Sequence, residues 1–295
     1  MARILVTGSS GFLGNALCAR LIALGHSVDG LDIVPGMFTN IVSDAKLISG
    51  SYDIVYHFAA YVGGREGIEN NFLSVAANID IDRAVFEFVL NNNVKRLIYP
   101  SSSAVYPIID QTKVHKPLYE SMIDFDTNAI GVSDHLYGWT KLTAERMLWE
   151  LNKTVDTKIS IVRPFSGYGP TQSTDYPVPN LIDIVKNTPE TLEVWGTGEQ
   201  TRDFVYVDDV VDTLIWCLSD DKKYRTVNIG TGISTSFIDL INITHMLVHG
   251  KLPKHISRLE HKPVGVLNRY CDPALQVKLG IYPKTTLEEG IKKFL

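Results

Sequence analysis

Cysteine is scarce in this sequence. The three present, Cys18, Cys217 and Cys271, lie far apart, with no C-x-x-C spacing and no His/Cys grouping suited to zinc, so a disulfide scaffold and a zinc module are both excluded. No run approaches the roughly 18 consecutive apolar residues that a membrane span needs. Met1 to Gly8 reaches a glycine turn after a few apolar residues, too few for a signal-peptide core, which makes a cytoplasmic protein without a membrane partner the expectation. Neither sign of charge is in large excess: 28 Lys plus Arg stand against 33 Asp plus Glu, a net −5. With no long block of like charges and no basic stripe, nucleic acid is not an expected partner. Internal repeats, low-complexity stretches and long linkers are missing too. What remains is a chain of 295 residues, 45% of them hydrophobic, long enough for a sizeable core and, at roughly 150 residues each, for two domains.

Short β-branched runs alternate with longer segments of helical period, the pattern of a parallel sheet covered on both faces. Arg3 to Thr7 reads as a buried strand, Phe12 to Leu24 as a helix closed by Gly25, and Ser27 to Leu31 as a second strand. Asp53 to Phe58, Lys95 to Tyr99 and Lys158 to Val162 continue the strands, with helices at Phe72 to Leu90 and Tyr137 to Asn152. The expected class is α/β, a doubly wound parallel (Rossmann) sheet occupying residues 1–166. From residue 167 the texture changes to loops rich in Pro, Gly and Thr, with short strands near Val194 and Val227 and helices at Asp208 to Leu218 and Phe237 to Leu247. These form a smaller C-terminal domain, 167–295, with some segments returning to the first, and a ligand cleft between the two.

Between the first strand and first helix stands Gly8-Ser-Ser-Gly11-Phe12-Leu13-Gly14. Backbone N–H groups of such a turn, with the helix dipole behind them, face a pyrophosphate, and glycine lets the chain turn sharply and approach it closely. Asp32 ends the second strand 18 residues after Gly14. At that separation a carboxylate meets the adenosine ribose hydroxyls and repels a 2′-phosphate, so NAD is expected over NADP. Tyr137 and Lys141 lie four residues apart, on one face of a helix turn. In a chain with 13 Tyr the pair means little by itself, and a packed aromatic beside a solvated lysine is the plain alternative. Context promotes it. Ser101-Ser102-Ser103-Ala104-Val105-Tyr106 follows the strand Lys95 to Tyr99, so its hydroxyls sit at a carboxyl end of the sheet, where open α/β sheets bind ligands. A phenol is a poor base at neutral pH, and a neighbouring ammonium lowers its pKa by favouring phenolate. Ser, Tyr and Lys then make a proton-transfer set beside a hydride acceptor.

With these pieces in this order, the chain resembles the extended short-chain dehydrogenase/reductase family and, within it, the NAD-dependent nucleotide-sugar epimerases and dehydratases. Tyr56-His57-Phe58-Ala59-Ala60, Asn78, Arg163-Pro164-Phe165-Ser166-Gly167-Tyr168-Gly169-Pro170, Gly196-Thr197-Gly198-Glu199-Gln200-Thr201-Arg202-Asp203 and Arg269-Tyr270-Cys271-Asp272 extend the likeness over nearly the whole sequence. The resemblance implies that Gly8, Gly11, Phe12, Leu13, Gly14, Asp32, Ala59, Ala60, Asn78, Tyr137, Lys141 and Phe165 hold NAD. It implies that Ser102, Ser166, Arg202 and Arg269 face a nucleotide-diphosphate sugar, and that Ser102, Tyr137 and Lys141 are catalytic, Ser102 being found by counting back four residues from Tyr106. Two arginines suit a diphosphate independently, because planar guanidinium donors grip it well. His57 reads as a packed histidine at a strand end. The chain departs from the family at Ser166, usually Asn, at Asn40 to Asp44, usually a Gly-Asp-Ile segment on the adenine side, and in lacking a Pro ahead of Tyr137. Thirty residues separate Tyr106 from Tyr137; with Asp124, Asp126, Asp134 and His135, that loop is long enough to fold over the site and add a group.

At the two positions between Ser102 and Val105, dehydratases of the family resemble Thr-Asp-Glu, sugar-acid decarboxylases place Glu, and GDP-mannose 3,5-epimerases and GDP-fucose synthases place Cys. This chain has Ser103 and Ala104. Elimination of water and abstraction of a ring proton each need an extra acid or base, which neither residue supplies. The expected activity is therefore an NAD-dependent epimerase acting at C4 of a nucleotide-diphosphate sugar through a transient 4-keto intermediate. Gly63-Gly64 and Tyr106-Pro107, similar to the GDP-mannose and GDP-fucose branch, keep a GDP-sugar 3,5-epimerase or a 4-keto-sugar reductase or dehydratase as the alternative. A non-catalytic NAD(H)-sensing regulator on the same scaffold is a third reading, against which the retained Ser102, Tyr137 and Lys141 count. Val85, Phe88, Val89, Leu142, Leu148 and Leu151 put apolar residues on more than one face of two helices. Together with the resemblance, they point to a homodimer with a four-helix interface.

Overall fold

In the first strand alternate side chains must leave opposite faces, and all of Ile4, Leu5 and Val6 are buried. A strand buried on both faces belongs in the interior of a covered sheet. The computed structural model describes residues 1–32, 50–112, 115–127, 130–187, 190–262 and 264–295; Asn40 to Asp44 lie outside them. Six strands, β1 (Arg3–Thr7), β2 (Ser27–Leu31), β3 (Ile54–His57), β4 (Arg96–Pro100), β5 (Lys158–Pro164) and β6 (Tyr224–Ile229), form one sheet in the order β6-β5-β4-β3-β1-β2. Every neighbouring pair is parallel. The strand expected near Val227 is thus the edge of the main sheet. The order reverses around β1, and the crevice at the carboxyl ends of β1 and β3 is where a doubly wound sheet takes its ligand.

Three longer helices precede β5 and three follow it: α1 (Phe12–Ala23), α2 (Asn78–Asn91), α3 (His135–Leu151), α4 (Pro177–Asn187), α5 (Val207–Trp216) and α6 (Phe237–His249). On one face of the sheet Ile4, Val6, Tyr56, Ile98 and Val162 pack with Leu17 and Leu21 of α1 and Val210, Val211 and Leu214 of α5. On the other, Leu5, Val55, Leu97, Tyr99 and Ile161 meet Val85, Phe88 and Val89 of α2 and Ala144 and Leu148 of α3. The first of these clusters runs on through Leu181, Val194, Phe204 and Leu240, so the C-terminal part shares a core with the sheet. That part is held by short pairings: Ser166–Tyr168 with Phe204–Tyr206, Thr191–Trp195 with His255–Leu259, and Thr201–Arg202 between Thr235–Ser236 and Asn268–Arg269. No helix among the described residues is long and apolar enough to cross a membrane.

Two expectations change. The single helix read over Phe72 to Leu90 is a short helix, Phe72–Ala76, and then α2. Past the break at Ala77, Asn78 is buried, its Nδ2 donating to Tyr61 O at 3.0 Å and its Oδ1 accepting from Tyr61 N at 2.6 Å. The apolar residues assigned to a second face of α2 and α3 are also mostly on the sheet side: Val85, Phe88, Val89 and Leu148 line the sheet, and Leu142 is buried behind the serine turn. A broad sheet covers several rows of a helix, which absorbs what reads as a second stripe. The outer surfaces instead expose Ile79, Leu90 and Trp139.

Candidate active site

The glycine turn is packed backbone against backbone. Gly8 has φ +70°, and a Cβ there would lie 2.6 Å from Ala59 N; one on Gly14 would lie 2.1 Å from Gly8 O. Any side chain would drive the turn away from β3 or α1 away from the turn. Gly11 is the extended N-cap of α1 and offers no side-chain cap, so the first turn, with Phe12 and Leu13, presents its N–H groups to a ligand. Asp32 Oδ2 accepts from Ser10 N at 2.5 Å, which sets the carboxylate beside the turn. A cradle closed to side chains, edged by one acid, fits a dinucleotide. Ala59 is buried beside it and Ala60 half-buried. Asn78, its amide engaged by Tyr61, shapes the segment after β3.

Ser102 caps the 3₁₀ turn Ser103–Val105 that leaves β4, its Oγ accepting from Ala104 N at 3.1 Å. Ser103 and Ala104 are buried. The start of α3 docks on this turn: Asp134 N donates to Ala104 O at 3.0 Å and Ser133 Oγ to Val105 O at 3.0 Å. Contact is so close that a Cβ on Gly138 would lie 2.4 Å from Ala104 O. Gly138 thus lets the helix turn carrying Tyr137 reach the serine. Burial pushes the Tyr137 phenol well above its ordinary range, while the Ser102 hydroxyl beside it pulls it down.

Lys141 lies against the end of β4. Its Nζ donates to Tyr99 OH and Pro100 O, both at 3.1 Å, and lies 4.5 Å from the Tyr99 ring centroid. The long stem runs from α3 toward β4, and burial dominates the Tyr137 phenol. Desolvation pulls the Lys141 ammonium down, opposed by the charges of Asp82 and Glu145. One turn further on, Glu145 forms a buried ion pair with Arg163, at 2.9 Å to Nε and 2.5 Å to Nη2, and accepts from Ser101 Oγ at 2.5 Å. Arg163 also donates to Tyr106 OH at 3.0 Å. That pair clamps both ends of the serine turn to α3 and β5, and Phe165 is buried against Tyr106.

Arg202 and Arg269 are register partners on adjacent parallel strands, which places them side by side. Arg202 donates to the carbonyls of Thr201, Val264 and Val266 at 2.8 to 3.1 Å. Arg269 donates to Gln111 Oε1 and Asp134 Oδ2, both at 2.6 Å, tying the C-terminal part to the start of α3. Ser166, half-buried, donates its N–H to Asp203 O at 2.9 Å. Of the loop acids, Asp124 closes its own turn on Asp126 and Thr127. His135, at φ +50°, lies 3.3 Å from Asp134 Oδ1 and 3.5 Å from Glu69 Oε1. Sequence reasoning passed over Asp82, Tyr99, Gly138 and Glu145. The one legible signal was a carboxylate at 82 on the stripe Asn78, Asp82, Val85, Val89, which is buried throughout.

A family model described as the NAD dependent epimerase/dehydratase family matches residues 4–230. Among known proteins, an uncharacterized UDP-glucose epimerase of Bacillus subtilis (strain 168) is 29% identical over 98% of this chain and 95% of its own. A GDP-mannose 3,5-epimerase of Oryza sativa subsp. indica is 27% identical over 98% of this chain and 80% of its own. The solved structure of an NAD-dependent NDP-hexosamine 5,6-dehydratase involved in tunicamycin biosynthesis superposes with a TM-score of 0.82 at 27% identity, covering 100% of this chain and 96% of that one. Three relatives at nearly equal distance bear the names of three reactions.

Proposed function

The chain belongs to the NAD-dependent epimerase/dehydratase family, and within it we propose that it interconverts nucleotide-diphosphate sugars at C4 through a transient 4-keto sugar. One observation carries this reading: Ser102 and Tyr137 meet at the open end of β4, while Ser103 and Ala104, where the resemblance would put an extra acid, base or thiol, are buried and supply none. The chemistry supplied by bound NAD is reversible acceptance of the C4 hydride. Tyr137 takes the proton of the sugar 4-hydroxyl and returns it, Ser102 donates to the developing oxygen, and Lys141 keeps a positive charge in the site. Burial makes Tyr137 a base only when further positive charge arrives beside it. Asp32 holds the adenosine ribose, and Arg202 and Arg269, side by side, face the diphosphate. Ser166 and Phe165 line the cleft at the end of β5. The same reading includes a cytoplasmic homodimer joined through the outer faces of α2 and α3.

A second reading, a GDP-sugar 3,5-epimerase, is favoured by Asp134 and His135, which flank the docking of α3 on Ala104 and could replace the missing base. One experiment separates the two. Incubation with UDP-, GDP-, dTDP- and ADP-sugars in heavy water, with products resolved by NMR, should give inversion at C4 and no deuterium at ring carbons. Deuterium at C3 or C5 transfers the site to the second reading, and NADH binding without turnover of any sugar leaves the sensing role.

A further inference from the structure

Lys141 is 3% exposed and its ammonium lies against the end of β4. Tyr99 OH, which accepts from Lys141 Nζ at 3.1 Å, donates to Asp82 Oδ2 at 3.2 Å. A second set of buried polar groups runs from the glycine turn toward the same carboxylate, its last contact a close approach without a hydrogen bond. Ala59 N donates to Thr7 Oγ1 at 3.2 Å, Thr7 Oγ1 lies 2.7 Å from His57 Nδ1, and His57 Nε2 lies 3.0 Å from Asp82 Oδ1. Thr7, His57, Asp82 and Tyr99 are all at most 1% exposed. An ionised carboxylate only accepts, and that sets the direction of the Tyr99 bond. The Tyr99 hydroxyl points to Asp82 and so receives from Lys141. The Thr7 oxygen receives Ala59 N–H.

We propose that Asp82 is a positioning residue for this site: it is the counter-ion that, through the Tyr99 hydroxyl, keeps Lys141 a cation aimed at β4. The proposal deepens the reading of Ser102, Tyr137 and Lys141 as the proton-transfer set. A buried ammonium without an opposite charge gives up its proton. The groups facing Lys141 are Tyr99 from β4, Asp82 from α2 and Glu145 from its own helix, with Tyr137 acting on Tyr99. Glu145 is engaged at both oxygens by Arg163 and at one by Ser101. The groups facing Asp82 are His57 from β3, Tyr99, Lys141 and Tyr137, and Lys141 is the lysine or arginine among them. Asp82 also raises the Tyr137 phenol, so it restrains the base while holding the Lys141 cation in the site.

The test is a direct titration of Lys141. In protein carrying ¹³C-labelled lysine, the side-chain resonance that disappears in Lys141→Met belongs to Lys141, and its pH midpoint is read by NMR. Asp82→Asn should lower that midpoint by about one to three pH units, and Asp82→Glu should restore most of it. Tyr99→Phe, which keeps both charges and removes the relay, should lower it by less. A midpoint unmoved in Asp82→Asn overturns the proposal; should that variant not fold, an unmoved midpoint in Tyr99→Phe does so equally. No sugar is needed. A shifted midpoint in a protein that epimerises nothing keeps the role of Asp82 and refutes the C4 reaction alone, and turnover without a shift does the reverse.

Discussion

Tyr137 sits between opposed influences, burial favouring the neutral phenol and Ser102 favouring phenolate, and burial is the larger. The folded protein therefore binds that proton more tightly than an exposed tyrosine would, and turnover should rise with pH until the phenol of the complex titrates. NAD⁺ brings a positive ring, so its binding should release a proton and raise tyrosinate absorbance, whereas NADH should do neither; Tyr137→Phe should abolish the signal. The same variant should keep NAD bound and lose about 10²-fold to 10⁴-fold in turnover, read by steady-state kinetics beside a binding titration. Asp32 has two duties, since it also accepts from Ser10 N. Asp32→Asn keeps an acceptor for the turn and removes the charge, so it should weaken NADH and relatively spare NADPH in fluorescence titration. A wild-type preference for NADPH would contradict this role.

At the scale of elements, the distance from Ser102 to Tyr137 is set by how closely α3 approaches the serine turn. Gly138→Ala puts a methyl group 2.4 Å from Ala104 O, where backbone must yield. Overpacking of this kind costs about 1–3 kcal/mol, read by urea denaturation, and turnover should fall by more than NADH affinity does, because the glycine turn is elsewhere. Glu145 is the other fastening of α3. Glu145→Ala leaves Arg163 buried and unpaired, a loss of about 3–5 kcal/mol, and should free the Ser101 and Tyr106 ends of the turn together. Stability close to wild type in calorimetry would mean that water already reaches this pair.

For the whole molecule, one core cluster extends from the sheet into the C-terminal part through Val162, Phe204 and Leu240, so the two parts are expected to melt together. Leu90 and Trp139 remain exposed on the outer faces of α2 and α3, with charged Arg83, Glu87, Arg146 and Glu150 on the same two helices. Light scattering at micromolar concentration should give twice the chain mass, and Trp139→Asp should give the single mass with circular dichroism unchanged. A wild-type monomer would remove the four-helix interface.

What the sequence determined by itself was whatever depends on neighbours along the chain. The runs of β1, β2 and β5 and the period of α1 are local, and the turn Gly8 to Gly14 followed by Asp32 is one contiguous strand-turn-helix-strand unit, so both were legible residue by residue. The tertiary structure decided everything that depends on which elements pack together. Helical spacing put Tyr137 and Lys141 on one face, yet packing of α3 against β4 sent the ammonium to Tyr99 and Asp82. The residues near Val227 read as a short strand of the second part, and hydrogen bonding to β5 made them the edge of the main sheet. Arg269 was read as a diphosphate ligand from its motif, and its bond to Asp134 comes from a residue far away in the chain. A charge taken out of water must find its partner within a few ångströms, and the fold chooses that partner from parts of the chain that no local pattern links.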